Sequence, residues 1–389
     1  MRDVIVVGGG PVGILLACLL AEHGVDVEVL ERRTEPSMQA RAIGIHPPSM
    51  RVLRQVGVAE EVLARAVRIE EGSVRCGGEV LGRLSFAQTA GKFPFVVALP
   101  QYETEAVLRE RFRELRPAGL RSGVLVGSLQ DRGDHVDVIA EPADGLPDES
   151  TGDNGDEILA AARYVVVADG ARGHLREAAG IPSRPLGGGD TYLMADYPDT
   201  GEHGSEAVLF FEAGGVVESF PLPSGRRRWV AMTPTLMTDA PIGALTALIH
   251  SRTGVALPPS TSTPSSFSVR QRLATEMVRG RVVLVGDAAH EISPIGGQGM
   301  NLGWLDALAL APALKHALAQ PVEARATLDD YDRLRRRSAR RAARQAGFNM
   351  AMGRPVHGLR LRLRNVFVRF LAMPPLNGLL ARAFTMRWL

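Results

Sequence analysis

The sequence predicts an α/β fold with α+β elements, in which an antiparallel sheet is inserted into a domain of alternating strands and helices and further helices follow at the C-terminus. Three observations predict this fold. A strand–turn–helix–strand pattern opens the chain, and a second strand–loop–helix pattern begins near residue 282. Between residues 182 and 268, short β-branched and aromatic runs alternate with proline and glycine, which is typical of antiparallel strands.

The composition is that of a soluble globular protein, because 45% of the residues are apolar and 23% are charged. A net charge of +2 and 5% aromatic residues do not favour nucleic acid as a partner. Only two cysteines occur, Cys18 and Cys76, so we expect neither disulfides nor a metal site and predict a cytoplasmic location. The apolar N-terminal run is interrupted by glycines and proline, so it predicts neither a signal peptide nor an integral membrane segment.

The first element in the chain is a βαβ unit. Residues 3–7 (DVIVV) form a β-branched run, GGGPVG follows, and after an apolar helical pattern the run VDVEVL ends at Glu31. Gly8, Gly10 and Gly13 match G-x-G-x-x-G, in which the glycines make the turn, admit a pyrophosphate and allow helix and strand to pack. A carboxylate at the end of the second strand can accept both ribose hydroxyls and argues against a 2′-phosphate. The unit therefore predicts binding of FAD or NAD.

The second glycine-rich loop, GDAAHEISPIGGQGMN, spans residues 286–301 and follows the predicted strand VVLV. Asp287 at the strand end can bind a ribityl hydroxyl. Gly296, Gly297, Gly299 and a helix beginning near Met300 can present backbone N–H groups to an electron-rich oxygen. This spacing does not fit a second dinucleotide fingerprint, so the ligand is either the flavin end of FAD or a phosphate.

These two loops, together with LERR at 30–33 and ADGARGHLR at 168–176, resemble the single-component FAD-dependent aromatic hydroxylases, the para-hydroxybenzoate hydroxylase-like flavoprotein monooxygenases. The order and spacing of the motifs match over most of the chain. The resemblance implies noncovalent FAD, NADPH or NADH as electron donor, and dioxygen. A flavin hydroperoxide would then hydroxylate an aromatic, phenolic or polyketide-like small molecule.

The resemblance does not identify the substrate, the position hydroxylated or the preferred nicotinamide cofactor, and Baeyer–Villiger insertion or epoxidation would use the same flavin chemistry. No catalytic residue is assigned, although His46, His290 and Tyr192 are candidates for proton transfer. Two other functions stay open: a reductase or dehydrogenase acting on a lipid or isoprenoid, and a non-catalytic FAD-binding partner protein. A halogenase is disfavoured because the tryptophans, Trp229, Trp304 and Trp388, are isolated.

The resemblance also implies a set of cofactor-binding residues. Arg32 resembles the basic residue that follows the acidic residue, here Glu31. Arg41 resembles the arginine of the loop after the second strand, and Gln101 resembles the glutamine that begins a helix beside the ribityl chain. Asp169 is implied to support both FAD and the nicotinamide donor. Gly173 and His174 stand where the family usually has serine, which leaves the docking of the donor open. The full set is Gly8, Gly10, Pro11, Val12, Gly13, Glu31, Arg32, Arg41, Gln101, Asp169, Asp287, Pro294, Gly297, Gly299, Met300 and Asn301.

We expect a discontinuous, Rossmann-like FAD-binding domain from residues 1–75, 98–181 and 269–345, and a substrate-binding sheet from 76–97 and 182–268. Residues 141–157 are expected to form a surface hairpin or loop, and residues 187–190 a surface loop. Phe211 and Phe220, with Pro294, are the preferred substrate contacts. The wider candidate set, whose aromatic members could equally be core, contains Phe210, Glu218, Trp229 and Arg226–Arg228.

Residues 346–389 are expected to form C-terminal helices. Their arginines alternate with apolar residues at positions 359, 361, 363, 366, 367, 370 and 371. We expect these helices to pack on the FAD-binding domain with their arginines reaching water; contact with an anionic membrane or nucleic acid is the alternative. A monomer or a homodimer is expected.

Overall fold

A computed structural model of the chain describes residues 1–37, 42–87, 91–140, 158–259, 263–293 and 297–387. The predicted loop at 141–157 and the site residues Arg41, Pro294 and Gly296 lie outside these ranges. The strands are β1 (Arg2–Val7), β2 (Val27–Glu31), β3 (Gly44–Ile45), β4 (Val67–Ile69), β5 (Glu71–Cys76), β6 (Glu79–Ser85), β7 (Val96–Ala98), β8 (Leu120–Ser122), β9 (Val126–Asp131), β10 (Val136–Ala140), β11 (Ile158–Val167), β12 (Ser183–Pro198), β13 (Ala207–Glu212), β14 (Gly215–Leu222), β15 (Arg226–Thr233), β16 (Ser265–Ala274), β17 (Val278–Arg279), β18 (Val282–Leu284) and β19 (His290–Glu291). The helices are α1 (Pro11–Glu22), α2 (Pro47–Gln55), α3 (Ala59–Arg65), α4 (Gln101–Leu115), α5 (Leu175–Ala178), α6 (Ala244–Thr253), α7 (Gln298–Ala319), α8 (Ala324–Gly353), α9 (Gly358–Leu371) and α10 (Leu376–Phe384).

The first sheet has the strand order β17-β18-β11-β1-β2-β8, with β10 and β9 extending from β11. Strands β18, β11, β1, β2 and β8 run parallel to one another, whereas β17 and β10 pair antiparallel with β18 and β11. The central strands are apolar and buried. A parallel sheet covered on both faces requires such continuous apolar runs. Helix α1 packs against α4 and α7, and it is buried along most of its length for the same reason.

The second sheet has the order β19-β16-β12-β15-β14-β13-β5-β6 and is antiparallel except for the β13–β5 pair. One face packs on α6 through Phe210 and Trp229. The opposite face carries Tyr192 and Val230, which pack with Met350 of α8. A small third sheet has the order β3-β7-β4. The predicted mixed fold class is confirmed.

Sheet pairing changes several expected boundaries. Strand β5 joins the second sheet from Glu71, and β16 stays in that sheet as far as Ala274, so the sheet extends beyond the limits of 76 and 268. Helix α8 runs through position 345 without a break. Gly187–Gly189 belong to the exposed first half of β12 and not to a loop, because this strand pairs with β16 across register shifts that accommodate the glycines. The division into an FAD-binding and a substrate-binding domain stays a proposal.

The C-terminal helices differ from the expectation in where they pack. Helix α8 packs on α7, as expected for the first domain, but α9 and α10 lie on β6 of the second sheet. The contact at α9 is formed by Val368 with Cys76 and Leu81. Among the described residues, no helix combines the length and apolar character that crossing a bilayer requires.

Candidate functional site

Three sequence motifs follow three neighbouring strands at the same edge of the first sheet. Gly8 comes directly after β1, Asp169 follows the end of β11, and Asp287 follows the end of β18. These strands are adjacent and parallel, so their carboxyl ends lie side by side. Glu31 is the last residue of β2, the next strand in the sheet. In open α/β sheets, ligands bind in the crevice outside the carboxyl ends of the strands.

The glycines of the first loop have different surroundings. Gly8 has a φ of +114°, and a Cβ added there would lie 2.3 Å from the carbonyl oxygen of Ala168. A Cβ at Gly13 would lie 2.0 Å from the carbonyl oxygen of Gly8. At Gly10, by contrast, an added Cβ would meet no described atom within 4 Å. Gly8 and Gly13 are therefore required by the protein's own packing, whereas Gly10 leaves space open in front of the loop.

The first and second loops contact each other directly. A Cβ at Gly286 would lie 3.2 Å from the Val12 side chain, and one at Gly303 would lie 2.6 Å from it. The indole Nε1–H of Trp304 donates a hydrogen bond of 2.9 Å to the carbonyl of Pro11. The start of α7 is therefore packed onto the start of α1, and both loops border one site.

Glu31 is buried and held by three donors. Its Oε2 accepts a hydrogen bond of 2.6 Å from the Gly9 N–H, and its Oε1 accepts two of 2.9 Å from the backbone N–H and Nε–H of Arg33. Burial alone would raise the pKa of Glu31, but these hydrogen bonds and the Arg33 charge hold the pKa below its usual value. A carboxylate has about four lone-pair positions, so one further donor can still be accepted. Arg32, the basic residue expected at the cofactor, is exposed, and its contact with the cofactor stays a prediction.

Helix α4 supplies two buried charged residues that the sequence reasoning missed. The Arg109 guanidinium donates from Nη2 to the carbonyl of Gly9 at 2.7 Å, and the Gln101 amide donates to Glu105 Oε1 at 2.8 Å. Burial lowers the pKa of Arg109 and raises that of Glu105. The three α4 residues are four positions apart and share one helix face. The four-residue spacing of these polar side chains is the sequence signal that could have identified them.

The carboxylate of Asp169 occupies space that only glycine at position 173 leaves open. A Cβ at Gly173 would lie 1.9 Å from Asp169 Cγ. Asp169 Oδ2 accepts a hydrogen bond of 3.2 Å from the Leu175 N–H, whereas Oδ1 is buried and has no hydrogen-bond partner among the described residues. Burial raises the pKa of Asp169, against the lowering effects of Leu175, His174 and Arg32. Gly173, which stands where the family usually has serine, therefore leaves the space that the Asp169 carboxylate fills.

The second loop is fixed by Asn301, which is completely buried. Its Oδ1 accepts from the His46 N–H at 2.8 Å, and its Nδ2 donates to the carbonyls of Gly44 at 2.8 Å and Gly297 at 2.6 Å. Strand β3 is thereby tied to the start of α7. This helix begins at Gln298, slightly before the expected start near Met300.

Asp287 is exposed and lies beside the first turn of α7. A Cβ at Gly299 would be 3.7 Å from Asp287 Oδ1. Met300, which was expected to contact the flavin, is buried and packs in the main hydrophobic core. A pocket connects Asp287 with the Asp-Gly motif; it is lined by Gly170, Ala171, Gly173, Arg176, Ser183, Arg272, Asp287, Ala288, Ala289 and Glu291.

A buried charged network lies beneath the second loop. His290 Nε2 is 2.5 Å from Asp306 Oδ2, and the Arg335 Nε–H donates to Asp306 Oδ1 at 2.6 Å. Asp306 Oδ2 also accepts from the Gly286 N–H at 3.3 Å. Burial disfavours the charged forms of both Asp306 and His290. The charges of His290 and Arg335 nevertheless lower the pKa of Asp306. The Asp306 charge in turn raises the pKa of His290. The network fixes the residue that precedes Asp287 and gives His290 a structural role, and its part in proton transfer stays a prediction.

The candidate substrate residues divide between the two faces of the second sheet. Phe210 and Trp229 stack at 5.9 Å on the face that α6 covers. Phe211 and Phe220 point to the opposite face, as strand alternation requires. Phe211 lies 5.6 Å from the Arg364 guanidinium of α9. The substrate contacts of Phe211 and Phe220 stay predictions.

Glu218 and Tyr192 occupy the same face as Phe220. Glu218 is 5% exposed, and burial raises its pKa to about 7. In the described part of the chain, no hydrogen bond or ion pair reaches the Glu218 carboxylate, and the Tyr192 hydroxyl has no hydrogen-bond partner. The Glu218 charge contributes to a raised pKa of Tyr192, so the two groups lie within electrostatic range of each other. No group of three or more His, Cys, Asp or Glu side chains able to hold a metal occurs among the described residues.

Comparisons with known proteins agree with this arrangement. Residues 1–346 match the family described as "FAD binding domain". The 6-methylpretetramide 4-monooxygenase of Streptomyces rimosus is 32% identical over 324 residues, which cover 79% of this chain and 55% of that protein. The ubiquinone hydroxylase UbiL of Rhodospirillum rubrum is 32% identical over 350 residues, covering 86% of this chain and 78% of that protein.

The crystal structure of p-nitrophenol 4-monooxygenase PnpA from Pseudomonas putida DLL-E4 is similar to the whole fold. The TM-score is 0.85 at 25% sequence identity, and the match covers 99% of this chain and 98% of PnpA. By contrast, the chain spans only about half the length of the Streptomyces relative. The resemblance to the FAD-dependent aromatic hydroxylases is confirmed, and the chain belongs to the FAD-binding-domain family as a relative of aromatic monooxygenases.

Proposed function

We propose that the protein is an FAD-dependent monooxygenase that uses NADH or NADPH and dioxygen to hydroxylate an aromatic, phenolic or polyketide-like small molecule. The observation that carries the proposal is that both glycine-rich loops lie at the carboxyl ends of the adjacent strands β1, β11 and β18 and contact each other. The named activities of the relatives support the same reaction class.

The residues at the crevice fit FAD. The open space at Gly10 and the unsatisfied N-terminus of α1 suit a pyrophosphate, and the ionised Glu31 suits a ribose hydroxyl. Asp169 Oδ1 is a buried acceptor in need of a donor. Asp287 beside the start of α7 suits a ribityl hydroxyl and the flavin end. In this assignment one FAD spans the two loops.

Bound FAD would supply the transfer of electrons from the nicotinamide donor to dioxygen. The protein would orient the substrate and exclude water from the reaction. Strand β14, which carries Glu218 and Phe220, contacts β4 and β7 of the small sheet. The third strand of that sheet, β3, is bonded to Asn301 at the second loop. We therefore propose that the substrate lies between the second loop and this face of the sheet.

Glu218 and Tyr192 would bind the polar groups of the substrate. With a pKa of about 7, Glu218 can donate a hydrogen bond when protonated and accept one when ionised, and the Tyr192 hydroxyl can do either. Phe220 would supply an apolar contact for the ring. A phenol or an oxygenated polyketide offers the matching combination of a planar ring and hydroxyl groups.

The test is a screen of FAD-loaded protein with phenols, p-nitrophenol, polyketide phenols and short-chain quinones under ¹⁸O₂. We expect a substrate to stimulate NADH or NADPH oxidation and to give a product heavier by one ¹⁸O atom. Stimulated oxidation with only hydrogen peroxide as product would identify an effector. A reduced product without added oxygen would contradict the proposal and favour a reductase.

A further inference from the structure

Helix α9 presents an exposed apolar surface. Six large apolar side chains in and directly after this helix are between 42% and 71% exposed, although side chains of this kind are usually buried in a folded domain. Contiguous exposed apolar surface marks an interaction site. We call this surface the α9 stripe; it consists of Leu359, Leu363, Val366, Phe367, Phe370 and Met373.

The α9 stripe occupies one side of the helix. With about 100° of rotation per residue, its six members fall within an arc of about 120°. The opposite side faces the protein through Arg364 and Val368, which are both 9% exposed or less. The sequence spacing and the observed exposure therefore describe the same amphipathic helix, with its more apolar side turned outward.

Buried contacts fix this orientation of α9. The Arg364 guanidinium donates to the carbonyls of Met352 at 3.1 Å and Arg354 at 3.3 Å, and also to the carbonyl of Phe211. Val368 packs against Cys76 and Leu81 of the second sheet. Turning the stripe inward would break these contacts and bury exposed arginines in their place.

Arginines flank the stripe on both sides. By the same rotation, Arg360 lies at one edge, and Arg362 and Arg369 lie at the other. Arg369 pairs with Glu79 at 2.5 Å, and within the described residues no carboxylate pairs with Arg360 or Arg362. The surrounding sequence is strongly basic: residues 333–389 contain 14 arginines and no acidic residue, whereas residues 1–332 contain 31 basic and 43 acidic residues.

This charge pattern decides between possible occupants of the stripe. A second copy bound symmetrically through α9 would bring two arginine-rich segments without acidic residues against each other. An anionic lipid surface has the complementary charge, and it accepts an apolar side-chain row at the level of the acyl chains while flanking arginines meet the headgroups. We propose that the α9 stripe docks the protein peripherally on an anionic membrane surface.

The test is flotation of the full chain, loaded with FAD, with vesicles of phosphatidylcholine alone or mixed with phosphatidylglycerol. The disrupting variant is Leu363→Gln/Phe367→Gln/Phe370→Gln, whose positions are all at least 42% exposed. The matched control is Ile242→Gln/Val322→Gln, which removes exposed apolar groups 62% and 97% exposed elsewhere. Circular dichroism and FAD content check that both variants fold.

We expect binding to the anionic vesicles that weakens with salt, a loss of at least about tenfold in the triple variant, and no loss in the control. Arg360→Gln/Arg362→Gln should weaken binding by about thirtyfold, in line with roughly 1 kcal/mol for each of the two arginines near an anionic surface. Equal binding by the triple variant and the wild type would overturn the proposal, as would no binding to anionic vesicles. Concentration-dependent dimerisation that the triple variant abolishes, without vesicle binding, would identify a second copy as the occupant and also overturn it.

Discussion

Replacing Glu218 by glutamine should change how the stability of the protein depends on pH. Glu218 is almost fully buried, and burial is the one cause that raises its pKa, from 4.5 to about 7. The folded state therefore binds a proton more tightly than the unfolded chain does. The contribution of Glu218 to stability should consequently fall as the pH rises from about 4.5 to about 7, and it should stay at the lower level above that range.

The size of the effect follows from the shift. One pKa unit corresponds to 1.36 kcal/mol, so moving the carboxyl from 4.5 to about 7 makes ionised Glu218 unfavourable by about 3 kcal/mol. Glutamine has nearly the same shape and does not ionise. The Glu218→Gln variant should therefore gain up to about 3 kcal/mol relative to the wild type between pH 4.5 and pH 8.

Urea unfolding of the FAD-loaded proteins at pH 4.5, 6 and 8 measures this difference. Glu110→Gln is the matched control, because that carboxyl on α4 is 66% exposed and should leave the pH dependence unchanged. Parallel pH profiles for the wild type and Glu218→Gln would refute the reasoning. They would mean that the pKa of Glu218 is the same in the folded and the unfolded chain.

Three further results are expected. Asp306→Ala should lower the free energy of unfolding by about 3 to 5 kcal/mol, because Arg335 and His290 lose their buried counter-ion. Thermal unfolding measures this loss. A loss no larger than that caused by Asp134→Ala, at an exposed position, would contradict the prediction. Gly13→Ala should lower the melting temperature even without FAD, whereas Gly10→Val should leave it unchanged. An added Cβ at Gly13 meets the backbone, and one at Gly10 meets no described atom within 4 Å. Equal melting temperatures for the two variants would count against the packing argument. Trp304→Phe should lower the free energy of unfolding by about 1 kcal/mol, because the hydrogen bond to the Pro11 carbonyl is lost. An unaltered urea midpoint would show that this bond does not stabilise the contact between the loops.

The parts of the fold that the sequence predicted well depend on local patterns. The first loop, the ends of β1, β2 and β18, and the second sheet all follow from β-branched runs and glycine spacing within a few residues. The start of α7 was placed within two residues because glycines and an apolar periodic run mark it. Such signals do not depend on which distant segment packs alongside.

The parts that sequence reasoning missed depend on contacts between distant segments. Arg109 lies 100 residues from the glycine whose carbonyl it binds, and Asp306 meets Arg335 from another helix. The alternation of side chains along β13 places Phe210 and Phe211 on opposite faces of the second sheet, but it does not predict which of these faces α6 covers. Likewise, the periodicity of α9 predicts an apolar side, whereas its outward orientation is set by Arg364 binding a carbonyl of β13.

The central claim is that one FAD spans both glycine-rich loops, and comparing the affinities for FAD and for ADP tests it most directly. ADP carries only the adenosine and pyrophosphate, so titrations of FAD-free protein with FAD and with ADP separate the two loops. We predict one FAD per chain, with Gly10→Val weakening both ligands, Asp287→Ala weakening FAD alone, and the control Gly378→Val affecting neither. Equal weakening of ADP and FAD by Asp287→Ala, or unchanged FAD affinity in that variant, would contradict the assignment of the second loop to the flavin end.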